Sequence, residues 1–218
     1  MSYRIAELVV IVAKPGAGKT TILRKFLAMN PRNLIVPPDR DDPAWQGIEE
    51  LRGKLTMGVQ PDVHPTRRVP VWKFTEPLNW TGNRVLHTEG RPERFYSAID
   101  RYEGVRDCGV IVDDFKRVIP TTSGALPEPV AAWLASRRRR MHDIFFAAHR
   151  LGDIHPQVYS MGPRIIIGAT MGGLTDAARK NLGELSERVE EVVNRVNSAN
   201  AKLPEGRQHY FEEVQFSG

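Results

Sequence analysis

Cysteine is almost missing from this chain. Cys108 stands alone among 218 residues, so no intrachain disulfide can form and no cysteine-based zinc framework can be assembled. Long apolar runs are missing too. The longest, at 8–13 (LVVIVA), 144–148 (IFFAA) and 165–167 (III), fall far below the ~20 residues that a membrane helix needs. The N-terminus, MSYRIAELVV, carries no signal-peptide cleavage pattern. Internal repeats and low-complexity segments are also lacking. Together these absences describe a soluble chain of a reducing cytoplasm. An acidic balance is absent as well: the net charge is +5 and the pI about 9.5, which suits an acidic partner such as nucleic acid or an anionic surface. The length and an apolar fraction of 41% suit one domain with a sizeable core.

Patterning then divides the chain. Residues 5–13 are Val- and Ile-rich, as a strand buried on both faces must be. From Lys19 a helical spacing places Ile22, Leu23, Phe26 and Leu27 on one face until Asn30-Pro31 breaks it. Short apolar strands are expected at 34–36, 108–115, 143–150 and 163–170. Helices are expected over 93–103, over 127–140, where Pro sits in the first turn, and over 176–199. A final edge strand is expected at 208–216. Residues 37–92 are rich in Pro, Gly, Asp and Arg and read as an insertion, with a helix near 43–54 and a strand near 69–75. Strands alternating with helices predict an α/β fold with a mostly parallel central sheet flanked by helices.

Between the first strand and the first helix lies AKPGAGKTT (13–21). The phosphate-loop pattern is G-x-x-x-x-G-K-[ST], and only its first position departs, with Ala13 in place of Gly. Pro15, Gly16, Ala17, Gly18, Lys19, Thr20 and Thr21 are therefore the predicted binding residues for a nucleoside triphosphate, ATP. Gly16 and Gly18 let the backbone curl its N–H groups toward phosphate oxygens, and the helix N-terminus adds positive potential. Lys19 reaches the β- and γ-phosphates, and the Thr20 hydroxyl is a ligand for Mg²⁺.

A second polar feature closes the apolar strand VIVDD. Asp113 is the expected Mg²⁺ carboxylate, beside Thr20. Asp114 is the expected residue that orients the attacking water, one methylene shorter than the more usual Glu. The strand DIFFAAHR ends in His149, which would lie near the γ-phosphate if that strand neighbours VIVDD. Four contiguous arginines, Arg137, Arg138, Arg139 and Arg140, precede it. On a helix they point about 100° apart and cannot share one job. Phosphate-backbone contact, a finger reaching a neighbouring subunit, and plain solvation all compete for them.

The stretch 113–158, beginning DDFKRVIP and running through GALPEPVAAWLASRRRRMHDIFFAAHRLGDIHPQV, resembles the FtsK/HerA superfamily of RecA-like P-loop motors. Within it, the resemblance is closest to the genome-packaging ATPases of membrane-containing icosahedral viruses and to the Zot-like ATPases of filamentous phages. Asp113, Arg138, His149 and Arg164 occupy the matching positions. His149 stands where the superfamily usually has a sensor Gln. The resemblance covers about two-thirds of the chain, and not 37–92. It implies an ATPase with Asp114, His149 and Arg138 as catalytic groups and Arg138 acting as a finger on a neighbour. It also implies a homo-oligomeric ring, a hexamer, that translocates DNA, the viral genome, in the host cytoplasm or with the virion, beside capsid or membrane proteins. A Zot-like phage-assembly ATPase, a nucleotide kinase and a non-catalytic ATP-dependent switch stay open on the residues alone.

Overall fold

The Val- and Ile-rich runs become strands of one sheet. The computed structural model describes residues 6–60, 64–102, 104–120, 124–204 and 206–215. In chain order the elements are β1 (Leu8–Val12), α1 (Lys19–Phe26), β2 (Arg32–Val36), β3 (Gly53–Gln60), β4 (His64–Phe74), β5 (Gly82–Val85), α2 (Pro92–Arg101), β6 (Cys108–Asp113), α3 (Phe115–Val118), α4 (Glu128–Arg140), β7 (His142–Ala148), α5 (Pro156–Tyr159), β8 (Arg164–Ile167), α6 (Asp176–Leu182), α7 (Leu185–Ala201) and β9 (Glu212–Val214). Seven strands pair in the order β5-β2-β6-β7-β1-β8-β9. Every pair is parallel except β8 with β9. The mostly parallel α/β sheet expected from the alternation is therefore present.

Period-two alternation sends successive side chains to opposite faces. Val10 and Val12 of β1, Val110 and Val112 of β6, and Ile144 and Phe146 of β7 face one layer, which α2, α4 and α7 cover with Phe95, Trp133, Leu134 and Val192. Val9, Ile11, Ile111, Phe145 and Ala147 face the other, under α1. The predicted apolar face of that helix is the one used: Leu23 is fully buried, Ile22, Phe26 and Leu27 pack beside it, and the Phe26 ring stacks on Phe145 with centroids 4.3 Å apart.

The segment 37–92 departs from its predicted form. No helix spans 43–54. Pro43–Trp45 makes one 3-10 turn, capped by Asp42, whose side chain accepts from the Ala44 amide, and Gly47 at φ 79 then turns the chain out of helical geometry. The strand expected near 69–75 lies within β4, which forms an antiparallel hairpin with β3, paired from Gly53↔Phe74 to Val59↔Arg68 before the register shifts. The hairpin is a separate two-stranded sheet, whereas β5 joins the edge of the main one. Arg94 of α2 stacks on Trp72 at 4.0 Å. The side chains of Arg67 and Arg68 lie outside the described residues. The helix expected over 176–199 is two helices, because Gly183 at φ 58 ends α6. The final strand is short, Glu212–Val214, and Phe216 lies outside the described residues.

Two buried histidines have both ring nitrogens in hydrogen bonds. His142 Nδ1 accepts from Trp133 Nε1 (3.2 Å) and its Nε2–H donates to the Val105 carbonyl (2.7 Å). His155 Nδ1 accepts from the Gln157 amide and its Nε2–H donates to the Gly124 carbonyl, each at 3.2 Å. Burial pushes both pKa values below the ordinary 6.5. The unfolded chain therefore takes up protons first as pH falls. The stability these histidines contribute is full above 6.5 and is lost as pH drops through that value toward the depressed folded pKa values. The thermal midpoint is expected to fall between about pH 7.5 and about pH 5.5, a window above the ordinary carboxylate pKa values. A midpoint unchanged across that window contradicts the assignment.

Candidate active site

Parallel strands bring their carboxyl ends to one edge of the sheet, and the loops leaving β1, β6 and β7 meet there. β7 lies between β1 and β6, so the phosphate loop and the acidic strand end stand two strand spacings apart, about 9–10 Å. Residues 14–18 turn on Gly16 (φ 76) and Gly18 (φ 93), both in left-handed territory that favours glycine. Ala13 is fully buried and is not among the residues of positive φ, so the departure from Gly there needs no special backbone. Helix α1 starts at Lys19 with Gly18 as its cap.

Lys19 is buried. Its ammonium donates to the carbonyls of Ala13 (2.7 Å) and Lys14 (3.1 Å) and to His149 Nδ1 (3.1 Å). Burial lowers its pKa, and the negative charges of Asp113 and Asp114 oppose that shift. The Thr20 hydroxyl donates to Asp113 Oδ2 at 2.9 Å. Burial raises the Asp113 pKa, against hydrogen bonds from Thr20 and Trp45 that favour the carboxylate. Thr20 and Asp113 thus present paired oxygen donors, the chemistry that Mg²⁺ takes when it is also held by phosphate and water. Among the described residues no cluster of three or more His, Cys, Asp or Glu could hold a metal ion.

Asp114 has φ 87. This unusual backbone for a non-glycine residue lets the chain leave β6 and enter α3 at once. Its carboxylate pairs with Arg117 Nε at 3.1 Å, while Arg117 Nη1 also holds the Pro38 carbonyl and the Asp39 carboxylate, at 2.8 and 2.6 Å. Asp114, Arg117, His149 and Arg150 line an open cleft of about 660 Å³ with Lys14 and Pro15. The His149 carbonyl accepts from Thr170 Oγ1 (2.9 Å). Asp114 and His149 thus line one cleft with Lys14 and Pro15 of the phosphate loop, and Asp113 lies beside it through Thr20.

Arg138 is elsewhere. It lies on an exposed turn of α4, just before the amino end of β7. The seven residues of β7 separate it from this chain's cleft by roughly 20 Å. Arg164 also starts its strand at the far end, ion-paired with Glu7 (2.9 Å) and Glu213 (3.3 Å). Sequence reasoning missed three contacts. Arg117 was open to discovery, since it follows Asp114 at the i,i+3 spacing of a helix. Trp45, whose Nε1 donates to Asp113 Oδ2 at 3.1 Å, and His209, whose Nδ1–H donates to the Ala17 carbonyl at 3.0 Å, carry no local signal.

This arrangement can be set beside known proteins. The genome packaging NTPase B204 from Sulfolobus turreted icosahedral virus 2, in complex with sulfate, superposes with a TM-score of 0.63 at 12% identity, over 98% of this chain and 93% of that one. The fold is that of a P-loop NTPase. The same viral NTPase in complex with ATP-γS gives 0.61 at 13% identity, over 96% and 92%. B204, the DNA-packaging ATPase from Sulfolobus turreted icosahedral virus, gives 0.58 at 15% identity, over 96% and 92%. No protein-family model matches this chain, and no curated protein sequence does. Among its described residues no helix is long and apolar enough to cross a membrane.

Proposed function

We propose that this chain hydrolyses ATP and, as a ring of identical subunits, a hexamer, translocates the DNA of a viral genome during packaging. The observation that carries the reading is the joining of Lys19, Thr20, Asp113, Asp114 and His149 at one sheet edge through the contacts between Thr20 and Asp113 and between Lys19 and His149. The fold shared with proteins named as genome packaging NTPases and the basic charge support it.

The triphosphate lies along residues 14–21, its oxygens receiving the backbone N–H groups turned inward at Gly16 and Gly18. Lys19 leaves the carbonyls of Ala13 and Lys14 for the β- and γ-phosphates. Thr20 and Asp113 would hold Mg²⁺, which would supply positive charge against the phosphate oxygens. Asp114 turns from Arg117 to orient water in line with the γ-phosphate. His149, which touches Lys19, reads the γ-phosphate and passes its state to the loop after β7. Arg138 reaches the cleft of a neighbouring subunit. The hairpin of β3 and β4 is the segment offered to nucleic acid, and capsid or membrane proteins of the virion are further partners.

Steady-state hydrolysis across protein concentration, with and without DNA, tests the reading. Stimulation by DNA and a specific activity that rises as subunits assemble are expected. Hydrolysis indifferent to both contradicts a translocating ring. Lys19→Ala is expected to weaken ATP binding itself, since it removes the cation that meets the β- and γ-phosphates. Unchanged ATP affinity, measured by calorimetry, overturns the assignment of the phosphate loop.

A further inference from the structure

We infer that Trp45 is a positioning residue of this site: its indole N–H fixes the Asp113 carboxylate in the orientation that receives Mg²⁺. The inference rests on the reading of Thr20 and Asp113 as the metal-holding pair.

Trp45 is only 3% exposed. It comes from the loop that leaves β2, the strand paired with β6 from Cys108 to Val112. Pro43 and the Asp42 cap set the short turn, and the ring is buried in the layer beneath α1 with Leu23, Ile35 and Ile111. Packing alone would be satisfied by a phenylalanine. An indole adds one N–H, which can only donate, and here it donates to Asp113 Oδ2 at 3.1 Å.

That same oxygen receives the Thr20 hydroxyl at 2.9 Å. Two donors on Oδ2 oppose rotation of the carboxylate. The bond is not an automatic consequence of burying a tryptophan. Trp80, at 5% exposure, has no partner for its indole N–H. A donor that orients a ligating carboxylate typically matters about 10–100-fold in metal affinity or activity.

Trp45→Phe keeps an aromatic ring at the position, though a smaller one, and removes the donor. ATP-γS binding is measured by calorimetry in EDTA and across Mg²⁺ concentrations, with folding checked by thermal melting. Affinity in EDTA is expected to match the wild type. The Mg²⁺ concentration needed for half of the full Mg²⁺ effect is expected to rise about 10–100-fold, with recovery at saturating Mg²⁺. A wild-type Mg²⁺ dependence in the folded variant overturns the inference. So does an equal loss of affinity with and without Mg²⁺, which marks Trp45 as packing alone. Failure of the wild type to bind ATP-γS at all would instead overturn the nucleotide reading.

If Trp45→Phe does not fold, the unaltered protein still decides. Its four tryptophans give four indole N–H signals in ¹H–¹⁵N spectra. One is expected to shift when Mg²⁺ is added to the ATP-γS complex, and the same signal is expected to shift in the free Asp113→Asn variant. Indole signals that respond to neither change contradict the inference.

Discussion

Arg138→Ala is expected to leave ATP affinity unchanged and to lower the turnover of the assembled protein by about 10³–10⁵-fold, the usual effect of an arginine finger. The structure separates the four contiguous arginines by burial. Arg137 is 7% exposed and donates to the carbonyls of Leu134 (3.0 Å) and Met161 (3.1 Å). Arg140 is buried as well. Arg138 and Arg139 face solvent. Lying at the amino end of β7, Arg138 has no path to its own cleft, so any role on the γ-phosphate must be played on a neighbour. Mixing gives the decisive measurement. Arg138→Ala and Lys19→Ala proteins are each expected to be inactive alone, and a mixed ring, which would place an intact Arg138 beside an intact phosphate loop, is expected to regain hydrolysis. No recovery on mixing, or full activity of Arg138→Ala alone, assigns the finger elsewhere. Arg139→Ala, carried through the same assay, is expected to change little.

Asp114→Asn is expected to lower hydrolysis by about 10²–10⁴-fold, the range for loss of a positioned general base, while ATP stays bound. Asparagine is nearly isosteric and tolerates left-handed backbone, so the φ of 87 at this position persists. The ion pair with Arg117 is lost, but that guanidinium is half exposed, and such pairs contribute little to stability. The variant should melt near the wild-type temperature and retain ATP in equilibrium binding without turning it over. Unimpaired single-turnover hydrolysis would move the catalytic role to another group. Asp114 rests against Arg117, which in turn holds Asp39, so orienting a water would require its carboxylate to exchange partners.

The features legible in the sequence are those encoded within a few consecutive residues. A phosphate loop needs two left-handed glycines, a lysine and a hydroxyl at fixed offsets, and backbone conformation over six residues is a local matter. The strand that leads into Asp113 and Asp114 is likewise local: Val110, Ile111 and Val112 in a row demand burial, and two consecutive acids mark where the strand gives out. The apolar face of α1 follows from its 3.6-residue period, and all four of its predicted residues pack on the sheet. Local signals misled where a single residue decides the backbone, as at Gly47, which turns the chain away from the expected helix over 43–54, and at Gly183, which divides the one expected over 176–199.

By itself, then, the sequence determined a parallel α/β chain with a triphosphate loop after its first strand and a carboxylate pair at the end of a later one. Tertiary structure alone decided how these meet. Strand order inserted β7 between β1 and β6, which brought His149 within 3.1 Å of Lys19 across 130 residues of chain. It also drew Trp45 onto Asp113, 68 residues away, and sorted four adjacent arginines into buried and solvent-facing pairs. The reason is physical: hydrogen bonds between distant residues form only after the sheet has excluded water and fixed its register, and nothing in the spacing of those residues along the chain records which strand will lie beside which.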